Sequence, residues 1–318
     1  MPQKPILFSG IKPTGVPHIG NYFGALKQWV DLQNADDKEC FYMIADYHAL
    51  TSVQDAAQMR TLTEELVATL LAIGIDPERV TIFKQSQVPA HTELAWIFNT
   101  ITTMPYLMRA HAFKDAEARD KEINVGTFTY PLLMASDILL YDTNVVPVGQ
   151  DQKQHIEYAR DTAEKFNRIF GDTFTLPEAY ILPEVAVVPG VDGQKMSKSY
   201  GNTISLFASR EEVEKGVMSI VTDSEGGRPE NVYAIHALLK PKVELEALYT
   251  EHEGKYKALK DALIGDLDAF IAPMREAYQT AMKDTARLTL IIEAGNAKAR
   301  KYSEQKMQVV RKAIGTIS

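Results

Sequence analysis

Two lysines three residues apart, Lys195 and Lys198, stand among small polar residues in the run Gly193-Gln194-Lys195-Met196-Ser197-Lys198-Ser199. Ammonium groups on long flexible stems suit a triphosphate whose charge shifts during a reaction. Far upstream lies Gly10-Ile11-Lys12-Pro13-Thr14-Gly15-Val16-Pro17-His18-Ile19-Gly20-Asn21. Its glycines and prolines shape a turn, and a helix is expected just after His18. An imidazole at a helix amino terminus can donate to phosphate beside free backbone N–H groups. Gly20 offers a surface without Cβ against which an adenine or ribose can lie. Taken singly, each run also reads as something ordinary: a capped Gly/Pro turn, a solvated basic loop. A third set, Tyr130, Met134 and Asp137, has i, i+4, i+7 spacing and shares one helix face.

These groups need a frame. Ile6–Phe8, Phe41–Ala45, Thr81–Phe83 and Val145–Val148 are short apolar runs that read as buried strands. Helical stretches are expected between them at 19–33, from Asp55 to about Gly74, at 92–101, 132–141 and 152–170. Strands alternating with helices predict an α/β fold, a doubly wound Rossmann-like parallel sheet. Ligands of such sheets collect at the carboxyl ends of the strands. After about Asn202 strand-like runs nearly vanish, and Ala, Glu, Lys and Leu at helical spacing predict a second, all-helical domain. From Lys283 onward eight cations face three acids, although the whole chain carries a net charge of −8. A solvated helix face is the plainer reading of that excess, and a local phosphate-binding patch the other.

Composition narrows the chemistry. Cys40 is the only cysteine, which excludes an intrachain disulfide and a cysteine-rich metal site. The seven histidines show no metal-binding spacing, so a metal is expected to arrive with a substrate, as magnesium with a nucleotide. No apolar run reaches bilayer length and no secretory leader opens the chain, which leads to the expectation of a cytoplasmic protein without membrane contact.

The upstream and downstream runs together resemble the paired signatures of class I aminoacyl-tRNA synthetases, here His18-Ile19-Gly20-Asn21 and Lys195-Met196-Ser197-Lys198-Ser199. The likeness extends through Ile44–Thr51, Tyr130–Tyr141 and Val146–His155, and is most specific for the tryptophanyl-tRNA synthetase family. It implies ATP as a substrate, Mg2+ bound with the ATP phosphates, L-tryptophan, tRNA(Trp) and a homodimer. It also implies three parts: a catalytic domain over 1–205, a helical anticodon-recognition domain over 206–295, and a carboxyl-terminal helix over 296–318 packing back on the first. By resemblance the catalytic groups are His18, Lys195, Lys198 and Lys114. The ATP contacts would be Lys12, Pro13, Thr14, His18, Gly20, Asn21, Gly149, Gln150, Asp151, Val187, Lys195, Met196, Ser197, Lys198 and Ser199. Tryptophan would meet Phe8, His48, Tyr130, Met134, Asp137, Val146, Val148 and Gln152. The chain departs from the family pattern at Lys12, where glutamine is common, and at Gln150, where glutamate is.

The amino acid is decided on one helix face. In the related tyrosine enzymes that face resembles Tyr-x-x-x-Gln-x-x-Asp, polar groups that grip a phenol. Here Met134 stands in the place of the glutamine, leaving an apolar, deformable wall beside one carboxylate. A wide ring with a single N–H donor fits it better, and by resemblance Asp137 accepts the indole N–H. Three other readings stay open from sequence: a tyrosine-specific relative, a nucleotidyltransferase that adenylates a small acid without tRNA, and a catalytically silent RNA-binding paralogue.

Overall fold

The computed structural model describes residues 4–109, 124–148, 153–181, 187–222 and 227–318. Five strands form one parallel sheet: β1 (Ile6–Ile11), β2 (Glu39–Ile44), β3 (Thr81–Lys84), β4 (Val145–Val148) and β5 (Glu178–Ile181), in the order β3-β2-β1-β4-β5. The order reverses direction between β1 and β4, and that switch point opens the crevice where ligands of such sheets bind.

Both faces of the sheet are covered, and the sequence shows why. Along β1 and β2, Leu7, Cys40, Tyr42 and Ile44 enter one apolar core while Phe8, Phe41 and Met43 enter the other. Alternate side chains of a strand point to opposite faces, so a run apolar at every position must be buried on both. β5 escaped the sequence reading because Glu178-Ala179-Tyr180-Ile181 is an edge strand with mostly exposed side chains.

The helices among the described residues of the first half are α1 (Ile19–Asn21), α2 (Lys27–Ala35), α3 (Asp46–Ala49), α4 (Ala56–Ala72), α5 (Ala90–Ile101), α6 (Met104–Leu107), α7 (Val125–Leu139) and α8 (Lys153–Phe170). A π-helical stretch, Tyr22–Leu26, joins α1 to α2. The expected start of α7 at 132 is corrected to Val125. Asn124 caps it by accepting from the Thr127 N–H, and Pro131 lies inside the helix. Proline ordinarily ends a helix, so the turns of α7 before Pro131 carry no helical signal in the sequence.

Beyond the signature lysines and a bridge from Ser205 back to His18, the described elements are helices: α9 (Arg210–Met218), α10 (Glu230–His236), α11 (Lys242–Glu251), α12 (Tyr256–Lys283) and α13 (Thr285–Ala313). α13 runs unbroken through 295/296 and returns to the sheet. At Gly295 a Cβ would stand only 1.8 Å from the Ile82 carbonyl oxygen of β3. The next residue, Asn296, accepts the Lys84 N–H at 2.9 Å. β3 is an edge strand whose backbone groups need partners, and α13 covers that edge.

Candidate active site

The amino-terminal signature is built as a helix cap. His18 precedes α1 in extended conformation; its Nδ1 accepts the Asn21 N–H at 3.2 Å, and Asn21 Oδ1 accepts the His18 N–H at 3.2 Å. Because Nδ1 is an acceptor, the neutral ring carries its proton on Nε2 and can donate there. Burial pushes the imidazole down to about 4, and the nearby charge of Lys198 acts in the same direction. His18 is therefore a neutral donor at pH 7. A Cβ on Gly20 would lie 2.9 Å from His18 Nδ1 and 3.3 Å from Met196 Cβ. Glycine there lets the imidazole and the second signature close on each other.

The two signatures are stitched together. Ile19 N–H donates to the Ile204 carbonyl at 3.0 Å and Leu206 N–H to the Pro17 carbonyl at 2.9 Å. Asn202 shapes the lysine loop: its Oδ1 accepts the Ser197 N–H at 2.8 Å, while its Nδ2 donates to Asp192 Oδ1 at 2.7 Å and the Lys195 carbonyl at 3.2 Å. Buried Met196 pins the middle of the loop, its N–H donating to the Val188 carbonyl at 3.0 Å. Lys195 and Ser199 remain exposed. Lys198 Nζ donates to the Thr14 carbonyl at 2.9 Å, inside the first signature. Its surroundings lower its pKa by desolvation, against the opposing pull of Glu65. Lys12 is lowered for the same reason although its side chain stays accessible: dense protein surrounds it without sealing it from water. Pro13 is buried, Thr14 and Asn21 face solvent, and Val187 is exposed.

The amino-acid side is of another kind. Asp137 is buried in α7 with donors from three other segments around its carboxylate. His48 Nε2 of α3 lies 2.8 Å from Oδ2. Gln85, just past β3, donates from Nε2 to Oδ1 at 2.8 Å and Oδ2 at 3.0 Å. His91 Nδ1 of α5 approaches Oδ1 to 2.6 Å without a hydrogen bond between them. Burial opposes ionisation, yet the contacts of His48 and His91 outweigh it and hold the carboxyl at about 2. Gln85 Oε1 also accepts the N–H groups of Tyr47 at 3.1 Å and His48 at 3.3 Å, which fixes α3 against the end of β3.

Tyr130 and Met134 lie half-buried on α7, two turns and one turn before Asp137 respectively. Tyr130 Oη meets His155 Nε2 at 3.1 Å, and its ring stands edge-on to His48 at 6.1 Å. Val146 is buried and Val148 half-buried at the end of β4. Phe8 is a core residue, stacked on Tyr141 with centroids 5.6 Å apart. Lys114, Gly149, Gln150, Asp151 and Gln152 lie outside the described residues. Gln85, His91 and Tyr141 were missed as site residues. Gln85 had a signal, a polar residue at the carboxyl end of a strand; His91, a lone histidine in an apolar helix, had none.

Comparisons with known proteins agree with this geometry. A family model described as tRNA synthetases class I (W and Y) matches residues 2–263, and the chain belongs to that family. Within it, the chain is 44% identical to a tryptophan–tRNA ligase of Fusobacterium nucleatum over 97% of each. It is 41% identical to that of Rhodopirellula baltica, over 97% of this chain and 99% of the relative. The tryptophanyl-tRNA synthetase of Campylobacter jejuni, solved with ADP and tryptophan, superposes with a TM-score of 0.91 at 42% identity, covering 98% of this chain and 99% of that one.

Proposed function

We infer that the chain is a tryptophan–tRNA ligase: it joins L-tryptophan to ATP, forming tryptophanyl-adenylate and pyrophosphate, and then transfers the tryptophyl group to tRNA(Trp). The observation that carries the reading is that a neutral imidazole donor follows the carboxyl end of β1, where a lysine loop holds to the same turn, while a buried carboxylate is bonded by side chains that follow β2 and β3 of the same parallel sheet.

The reaction needs no general base, since the tryptophan carboxylate is already an anionic nucleophile. Its oxygen attacks the α-phosphorus, the bond to the bridging oxygen breaks, and pyrophosphate leaves with those electrons. The work is positioning two anions and stabilising the charge that develops. His18 Nε2–H serves as a phosphate donor, and Lys195 and Lys198 as mobile cations. Lys198 must leave the Thr14 carbonyl to reach the triphosphate. Magnesium comes with ATP as part of that substrate. Lys12, Pro13, Thr14, Gly20, Asn21, Val187, Met196, Ser197 and Ser199 frame the nucleotide, with Lys114, Gly149, Gln150 and Asp151 completing the set. Phe8, His48, Tyr130, Met134, Val146, Val148 and Gln152 surround the indole, whose N–H is received by Asp137.

The helical segment 206–295 is assigned to anticodon reading; of the cations at the end of the chain, Lys298, Lys306 and Arg311 are paired with Glu39, Asp142 and Glu93 of the catalytic part. Residues 1–205 form the catalytic part, and 296–318 closes the edge of the sheet. A homodimer accounts for Trp96, Met104, Met108 and Val125, large apolar side chains left in solvent on or beside α5, α6 and α7. Sedimentation at rising concentration tests it. No described helix is long and apolar enough to cross a membrane; the proposed site of action is the cytoplasm.

Amino-acid-dependent pyrophosphate exchange, followed by charging of total tRNA, tests the activity. Exchange driven by tryptophan and charging of tRNA(Trp) are expected. Exchange driven equally by tyrosine, or none with either amino acid, would refute the reading.

A further inference from the structure

The carboxylate of Asp137 offers about four lone-pair directions, and its two oxygens are treated differently. Oδ1 is approached by Gln85 and His91, both wholly buried. Oδ2 shares Gln85 but otherwise meets His48, which retains some exposure and faces Tyr130 across the slot. Oδ2 is the oxygen beside the least buried partner, His48 at 7% exposure against 0% for Gln85 and His91, and an indole N–H reaching it would share it with His48. His91 is gripped at its other end as well, with Nε2 2.9 Å from the hydroxyl of Tyr141. Tyr141 in turn stacks on Phe8 and tilts against Phe41, whose centroids lie 5.6 and 5.2 Å away. The chain Tyr141–His91–Asp137 thus runs from the sheet core to the slot without reaching solvent.

We propose that His91 is a positioning residue for tryptophan recognition: anchored by Tyr141, it holds Oδ1 of Asp137 in the core so that Oδ2 remains the acceptor for the indole N–H. The inference rests on the assignment of that N–H to Asp137. His91 does not touch the substrate. Its part is to hold a polar nitrogen 2.6 Å from Oδ1, beside the Gln85 donor, and so to stop the carboxylate from turning. A carboxylate free to rotate or to take a proton presents a poorer acceptor, and a site built around a buried polar group discriminates only while that group is held in place.

The test compares kcat/KM in pyrophosphate exchange for tryptophan with that for its benzothienyl isostere, in which sulfur replaces the indole N–H. A merely structural loss lowers both alike; a positioning loss falls on tryptophan. In His91→Leu the preference for tryptophan is expected to drop at least tenfold, mostly through KM. His91→Asn, whose amide nitrogen falls near the place of Nδ1, is expected to recover part of the preference. His91→Gln, which reaches toward Tyr141 instead, is not. Should the leucine variant fail to fold, the Asn and Gln pair decides. Preference unchanged in these variants but lost in Asp137→Ala overturns the role of His91 alone. Preference unchanged in Asp137→Ala as well removes the underlying assignment, and the proposal with it.

Discussion

The two halves of the site are built on opposite plans. Around the proposed nucleotide position the signature side chains sit on loops and hold to backbone: His18 caps a short helix, and Lys198 rests on the Thr14 carbonyl. Around Asp137 the partners are buried side chains from three separate segments, and the carboxylate is 2% exposed. The contrast follows from the tasks. A triphosphate changes its charge distribution as it reacts, so its cations must move; an indole ring is read once, and reading requires an acceptor that does not move.

Asp137→Ala breaks the rigid half and should give the largest effect. Sites that hydrogen-bond a substrate N–H reject analogues lacking it by on the order of 10^4. Most of the preference for tryptophan over phenylalanine should therefore go, and unchanged relative kcat/KM for the two amino acids would refute the assignment. Lys198→Ala breaks the mobile half. Loss of one preorganised donor typically removes about 2.7–4 kcal/mol, roughly a hundred- to thousandfold in rate. Adenylation should fall by that much while tryptophan binding, measured by fluorescence or calorimetry, stays nearly intact. A loss below tenfold would make this lysine peripheral.

The mobile half was legible in the sequence because its chemistry is local: His18 and Gly20 are two residues apart, and Lys195 to Ser199 are contiguous. Four of the five strands were legible as well, since strands buried on both faces are continuous apolar runs. Of the buried cluster in the rigid half, Asp137 and, by resemblance, His48 were legible, whereas Gln85 and His91 were not. Gln85 and His91 come from 52 and 46 positions upstream, and nothing local in their neighbourhoods announces that they meet a carboxylate. β5 was invisible because an edge strand loses the apolar pattern, and the first turns of α7 because Pro131 sits inside the helix.

Gly295 tests whether the rigid half depends on distant packing. Its Cα lies against the Ile82 carbonyl, and its neighbour Asn296 accepts from Lys84, the residue before Gln85. A methyl group at Gly295 has no room, so α13 must move off β3. Overpacking of this kind destabilises by roughly 1–3 kcal/mol. The shift should also loosen Gln85. In Gly295→Ala the thermal midpoint is expected to fall and the Michaelis constant for tryptophan to rise, with that for ATP little changed. An ATP constant that rises as much as the tryptophan constant would show that the two halves are not mechanically separate.

The smallest effect concerns His18 and is read by titration. Its folded-state pKa is about 4 against an ordinary 6.5. The unfolded chain therefore takes up this proton first on acidification. The stability tied to a neutral His18 is whole above about pH 6.5 and is lost as the pH falls toward 4. NMR of the imidazole should show it neutral down to about pH 5 in the free protein, with Nε2 protonated and Nδ1 bare. Adding ATP puts negative charge beside the ring and should move the titration upward. A pKa indifferent to ATP would mean that the imidazole does not face the phosphates, and the mobile half would then consist of lysines alone.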